Sequence, residues 1–238
     1  MNLRQDFFTR NDCYHTGRTI EVKGLMLHST AAPGVMANEW KARWNKSYKA
    51  GETKRQACVH AFVDDTEIVQ ALPWNHEGWH AGKGSKGSAN ATHIGVELCE
   101  PKGAVYNKNG TAFAKYDVKA LTPYFEKVYQ NAVELCAYLC KEYGLDPLAD
   151  ILCHKEGWRR GIACGHADVE HWFPLQGKTM DAFRADTAAA LAALRTAETA
   201  AAPAPRYRVQ VGAFADKGKA QALLDRLRAA GFEGYIRT

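Results

Sequence analysis

Apolar positions change their spacing several times along the chain, and each change marks an element. The run "TIEVKGLMLHST" (residues 19–30) is β-branched and apolar, ends at the turn-like "AAPG", and predicts a buried strand with His28 at its C-terminal end. In "ACVHAFVDDTEIVQALP" two apolar runs flank the polar "DDTE", the pattern of a hairpin. The Gly/Ser/Asn-rich stretch that follows reads as a functional loop, closed by the strand "HIGVEL". From residue 122 the period lengthens. Phe125, Val128, Tyr129, Ala132, Cys136, Leu139 and Tyr143 recur at three- and four-residue steps, predicting a long helix that stops at Gly144 ahead of Pro147. "MDAFRADTAAALAALRTA" predicts another helix, and "MANEWKARWN" a short one after the first strand. Strands and helices mix, so the expected fold class is α/β (α+β), a central mixed sheet flanked by helices.

A break in this pattern divides the chain. "TAETAAAPAPR" (196–206) lacks apolar periodicity, and its two prolines favour extended backbone, so it reads as a linker between a body of residues 1–195 and a tail of residues 207–238. In the tail, Tyr207, Val209 and Val211 alternate with polar residues as a strand. Ala220, Leu223, Leu224 and Leu227 mark an amphipathic helix ended by Gly231, and "FEGYIRT" reads as a second strand. One such β-α-β unit buries too little surface to stand alone, so it is expected to need a partner.

Composition narrows the function classes. The 238 residues are 46% hydrophobic and 24% charged, which excludes a mainly disordered chain. The net charge of +5 lies mostly in the tail, without basic clusters interleaved with aromatics, so nucleic acid is not expected as a partner. No apolar run is long enough for membrane insertion, and the start lacks a secretory signal pattern, so the expected location is the cytoplasm. Seven cysteines, an odd number without framework spacing, read as reduced and mostly buried thiols rather than as a disulfide scaffold.

Candidate chemistry concentrates in "CHKEGWRRGIACGHADVEHWFP" (153–174), which is rich in metal-ligand residue types. A catalytic zinc site takes three nitrogen, sulfur or carboxylate ligands and leaves a position open for water. His28 and His154 each end an apolar run, "GLMLH" and "ADILCH", which would hold them rigidly at a sheet edge. Structural-zinc spacings are weak: Cys136 and Cys140 share a helix face, and His166 and His171 have no paired partner motif. In "IGVELCEP", Glu97 alternates with Val96 and Leu98. If those two pack into the core, Glu97 faces the site and can serve as a base.

Taken in order, "LMLHST", "GWHAGKG", "HIGVELCEP" and "CHKEGWRRGIACGHADVEHWFP" resemble the zinc-dependent N-acetylmuramoyl-L-alanine amidases of the type 2 class, shared with peptidoglycan recognition proteins and phage endolysins. The tail resembles the first half of a SPOR domain, a peptidoglycan-binding module. The resemblance implies one catalytic Zn2+ held by His28, His154 and a third ligand, for which Asp168 and Cys164 compete. Asp168 is preferred because it places His166 two positions earlier, where the family usually has an oxyanion-stabilising lysine; Cys164 would place Ile162 there. A histidine in that position makes the stabiliser's charge depend on pH near neutrality.

The resemblance further implies Glu97 as the catalytic base and His166 as the oxyanion donor. It sets Trp79, His80 and Asn90 along the substrate groove, and His60 near the metal or simply in the core. Arg159 and Arg160 read as stem-peptide contacts or a solvated surface pair, and His171 as structural. The implied substrate and partner is bacterial peptidoglycan, cut between N-acetylmuramic acid and L-alanine by a cytoplasmic protein later released to the wall. Two further expectations stand beside this one: a non-catalytic peptidoglycan-recognition protein, and a homodimer in which two half-length tails complete one module.

Overall fold

The computed structural model describes residues 1–201 and 210–237, in two compact units, Met1–Thr199 and Ala200–Thr238. The first unit is built on a sheet of six strands: β1 (Leu3–Gln5), β2 (Gly24–Ser29), β3 (Ala61–Val63), β4 (Ile68–Gln70), β5 (His93–Leu98) and, late in the chain, a strand over Ile151–Cys153. A separate two-stranded ribbon, β6 (Val105–Tyr106) with β7 (Phe113–Lys115), lies between them in sequence, which makes Ile151–Cys153 β8. The sheet order is β1-β4-β3-β5-β2-β8, and all neighbours are parallel except the β3–β4 hairpin. The helices are α1 (Trp40–Trp44), α2 (Val118–Tyr143), α3 (Pro147–Asp150), α4 (His154–Arg160) and α5 (Met180–Ala201).

Strand alternation sorts the side chains into two layers. Leu25 and Leu27, Ile94, Val96 and Leu98, and Ile151 and Cys153 point to one face. There they join Phe125, Val128, Ala132 and Cys136 of α2 and Phe183 of α5 in the main core. The apolar stripe of α2 thus covers the sheet, as its period requires. Asp117 caps the helix by accepting from the Ala120 N–H, and Gly144 ends it in the left-handed region at φ 66°. The opposite face carries Met26, Phe62, Gly95, Glu97 and His28, and is covered by loops and α1 around Phe8, Trp40 and Phe62. All seven cysteines are free, six of them buried.

Three expectations are corrected. The strand read over residues 19–30 shortens to Gly24–Ser29, because only this stretch finds partners on both sides. The extended linker is helical over its first residues, since α5 runs to Ala201 through an alanine-rich sequence of high helix propensity; residues 202–206 lie outside the described residues. The β-α-β tail holds one helix, α6 (Lys217–Ala229), capped by Asp216, and no strand among the described residues of the tail. Tyr207 and Val209 lie outside the described residues, whereas Val211 and residues 232–237 have irregular backbone. A strand needs a neighbour to satisfy its backbone, and Phe232 and Tyr235 are each 64% exposed rather than packed. No helix among the described residues is long and apolar enough to cross a membrane.

Candidate metal centre

The site assembles at the C-terminal ends of three adjacent parallel strands, where open α/β sheets leave a crevice. His28 is the penultimate residue of β2, and Glu97 stands directly beside it in register on β5. His154 follows β8 as the first residue of α4, in phase with the same face. Asp168 comes from the irregular segment beyond α4, whose backbone carbonyl accepts from the Lys155 N–H at 3.0 Å. His28, His154 and Asp168 bring three ligand atoms within 4.8 Å of one another.

The hydrogen-bond network assigns the ring tautomers. The His80 Nε2–H donates to the His93 carbonyl at 3.1 Å, so His80 Nδ1 accepts, and its partner at 2.9 Å is His28 Nε2. His28 therefore presents a bare Nδ1. The His154 Nε2–H donates to the Cys164 carbonyl at 2.9 Å, which leaves its Nδ1 bare as well. These two Nδ1 atoms lie 3.0 Å apart, with Asp168 Oδ2 3.3 Å from the first and 3.8 Å from the second. Three converging lone pairs repel unless a cation lies among them. Ligands of a tetrahedral zinc bound at about 2.05 Å stand roughly 3.3 Å apart, so the spacings and donor set fit that ion.

Burial sets the protonation of these groups. It drives the His154 imidazole down to about 4, with His28 adding to the effect, so the ring is neutral and free to ligate at neutral pH. Burial opposes ionisation of Asp168, but positive charge at the edge it shares with His28 and His154, whether a proton or a cation, favours the carboxylate and holds its carboxyl down at about 2. Glu97 moves the other way. Desolvation raises it well above the ordinary carboxylate range, Asp168 and Glu100 push it further, and its Oε2 is buried without a hydrogen-bond partner.

Comparison with known proteins assigns the family. A family model described as N-acetylmuramoyl-L-alanine amidase matches residues 18–174, which hold the three potential ligands and Glu97. The chain belongs to the N-acetylmuramoyl-L-alanine amidase family. A SPOR-domain model matches residues 182–238. The amidase CwlH of Bacillus subtilis (strain 168) is 30% identical over 174 residues, 72% of this chain and 58% of its own length. The amidase XlyA of the same strain is 36% identical over 172 residues, 72% of this chain and 49% of its own. The chain thus spans about half the length of these curated relatives. The solved catalytic domain of XlyA superposes with a TM-score of 0.54 at 28% identity, covering 79% of this chain and 99% of that domain. A mutant endolysin from Bacillus subtilis gives 0.51 at 27%, with the same coverages of 79% and 99%.

Within this amidase-family body, the three residues expected along the substrate groove lie on one loop beside the centre. His80 lies against His28 and fixes its ring, as described. Asn90 Oδ1 accepts from the backbone N–H groups of His80 and Ala81 at 2.9 and 2.8 Å, stapling the loop that carries them. Trp79 exchanges two backbone hydrogen bonds with Cys58 and packs against the cluster around Phe8 and Trp40. A loop on this face has to be held before it can position anything, and these three residues hold it. His60 is one layer deeper: its Nε2–H donates to the His76 carbonyl at 2.7 Å and its Nδ1 accepts from the Gly95 N–H at 2.9 Å. Arg159 makes a two-pronged pair with Glu170, while Arg160 is exposed.

His166 is exposed at the rim, its ring centre 4.6 Å from that of His154. Sequence reasoning missed a hydrogen-bonded chain anchored on the buried Glu100. His171 Nε2 donates to the Tyr106 hydroxyl at 2.8 Å, and Tyr106 in turn donates to Glu100 Oε1 at 2.5 Å. This chain ties together the segments that follow Glu97 and Asp168. Glu100 carries no periodic signal because it lies past the end of β5, and Tyr106 sits in a two-residue strand too short to show one.

Proposed function

We propose that the protein is a zinc-dependent hydrolase of the amide bond between the lactyl group of N-acetylmuramic acid and L-alanine in peptidoglycan. One observation carries this reading: two bare imidazole nitrogens and the Asp168 carboxylate converge next to Glu97, a half-buried carboxylate with one buried, unpartnered oxygen. His28, His154 and Asp168 hold the ion. Cys164 is set aside as third ligand because its Sγ lies 3.5 Å from Nε2 of His154, the nitrogen turned away from His28. Zinc so held supplies Lewis-acid polarisation of the scissile carbonyl and acidifies a water toward a pKa of about 7.

Glu97 takes the proton of the attacking water and returns it to the leaving amine of L-alanine. Its raised pKa makes it a stronger base than an ordinary carboxylate, which suits a group that must both accept and donate a proton. His166, at the open side of His154, donates a hydrogen bond to the oxyanion of the tetrahedral intermediate. The family match and the resemblance to an endolysin support a role in wall degradation of the endolysin kind. Residues 207–238 hold the enzyme to the wall, a role supported by the SPOR match, either singly or as two tails that associate. Native mass with and without these residues separates the two forms, and a monomer in both excludes association.

The deciding experiment measures zinc content and the release of free L-alanine amino termini from purified peptidoglycan. The expected result is one zinc per chain with turnover, and a Glu97→Gln variant that keeps its zinc while losing roughly 10²–10⁴-fold in rate. Zinc bound without any release by the wild type would overturn the hydrolase in favour of a recognition protein.

A further inference from the structure

Past the end of β2 the chain enters the wall of a cavity of about 290 Å3. Thr30, two residues after His28, lines it together with Asn11, Trp40, Trp44, Arg43 and Arg55. No carboxylate is among the lining residues, and neither arginine enters an ion pair among the described residues. Each guanidinium instead rests on an indole: Arg43 lies 5.9 Å from the ring centre of Trp40, and Arg55 5.8 Å from that of Trp44. Trp40 is in turn stacked on Phe62 at 5.0 Å and meets Trp44 edge-on at 5.2 Å. An aromatic face holds a guanidinium by cation–π attraction and leaves its N–H fork unspent, which suits it to a two-pronged grip on a carboxylate. The cavity also reaches the chemistry electrostatically. Burial, Asp168 and Glu100 raise the Glu97 carboxyl, and the Arg55 charge is the influence that opposes them. The Asn11 side-chain amide donates to the carbonyls of Trp44 and Ala57 at 2.7 and 3.0 Å, joining the end of α1 to the segment ahead of β3. Asn11 lies outside the stretch 18–174 that matches the amidase family. Ala31, also in the wall, takes left-handed backbone at φ 48°, which is costly for a residue with a Cβ and clusters at functional sites.

We propose that Arg43 and Arg55 are specificity-determining residues that receive a free carboxylate of the stem peptide and discriminate against its amide. This rests on the reading that peptidoglycan stem peptides bind across the centre. The residue after L-alanine in the stem is D-glutamate joined through its γ-carboxyl, and its α-carboxyl is free in some walls and amidated in others. An extended peptide advances about 3.3–3.6 Å per residue, so that group lies roughly 7 Å from the scissile bond. The same two-residue step separates Thr30 from His28 along the protein chain. A free carboxylate accepts hydrogen bonds from the guanidinium forks and neutralises charge that is otherwise unpaired. The amide brings no charge and sets an NH2 group against guanidiniums that can only donate. The cavity therefore favours walls whose stem peptides are unamidated at this position.

The test uses two soluble muramyl peptides that differ only in this α-carboxyl, free in one and amidated in the other. Calorimetric titration of the zinc-loaded, full-length Glu97→Gln variant reads binding without turnover and is expected to favour the free acid by about tenfold. Wild-type kcat/KM should show the same preference, arising in KM. Arg43→Gln and Arg55→Gln should each shrink the ratio between the two peptides by weakening binding of the free acid. Arg55→Lys, which keeps the charge and loses the fork, should retain part of that ratio. Zinc content and thermal unfolding establish that each variant is folded. Equal affinity of the parent protein for the two peptides, or folded glutamine variants that keep its ratio, would overturn the subsite and leave the amidase reading intact. A preference for the free acid without any release of L-alanine amino termini by the wild type would overturn the amidase instead and leave the subsite standing.

Discussion

His80 decides which nitrogen of His28 is free, so the chemistry of the centre depends on a residue one layer behind it. Groups that fix a ligand's ring typically contribute 10–100-fold in metal affinity. His80→Ala is accordingly expected to weaken zinc binding by about that factor in a chelator competition, with less effect on the rate of the fully loaded enzyme. His166 is expected to behave in the opposite manner: His166→Ala should leave zinc content unchanged and lower kcat by roughly 10²–10³. His166→Lys should restore much of the rate, because an ammonium supplies a charged donor at the same rim position. Proton linkage appears most directly at His60, which burial depresses to about 4, and at His93, depressed to about 4 by burial and by Arg160. Between pH 4 and 6.5 the unfolded chain binds protons that these folded imidazoles refuse. Stability is thus complete above pH 6.5 and falls as pH drops toward 4, by about 3 kcal/mol per histidine at most. Denaturant titrations at pH 7 and 4.5 measure the loss, and His60→Asn should reduce it.

At the scale of elements, the alternation in "HIGVEL" already separated Glu97 from Val96 and Leu98, and the structure sets those two in the core and Glu97 toward the centre. The same strand contains a position that leaves no room for a side chain. A Cβ at Gly95 would lie 2.6 Å from Cγ of His80, so the ring rests directly on the strand backbone. Gly95→Ala is expected to destabilise the fold by about 1–3 kcal/mol and to lower zinc affinity by displacing His80, read out by thermal unfolding with and without zinc. Helix α2 was legible because 26 residues give an apolar stripe several turns long. The strand β1 and the β6–β7 ribbon were not, since two or three residues cannot display a period. The second tail strand, expected over residues 232–238, is absent from the described residues 232–237 for another reason: a strand-like pattern supplies no neighbour to pair with.

For the whole molecule, the division into two compact units makes the tail separable from the chemistry. Every residue assigned to the centre lies in Met1–Thr199, which has its own core. Deleting residues 207–238 should therefore leave hydrolysis of soluble muropeptides unchanged and reduce retention on intact sacculi in a sedimentation assay. Equal retention by both forms would show that the body alone binds the wall.

Local sequence determined the kinds of element, the apolar stripe of α2, the burial of the cysteines, and the residue types that can ligate a metal or carry a proton. Those properties depend on spacing over a few residues and on side-chain chemistry. The tertiary structure decided which of those residues meet. The order β5-β2-β8 brings positions 97, 28 and 154 side by side across more than a hundred residues of chain, and the segment after α4 then supplies Asp168. It also decided that His80 stands against His28, with Asn90 holding the loop that carries it, and that Cys164 faces the far edge of His154. Such facts turn on which ring nitrogen faces which partner, and no pattern along the chain records that.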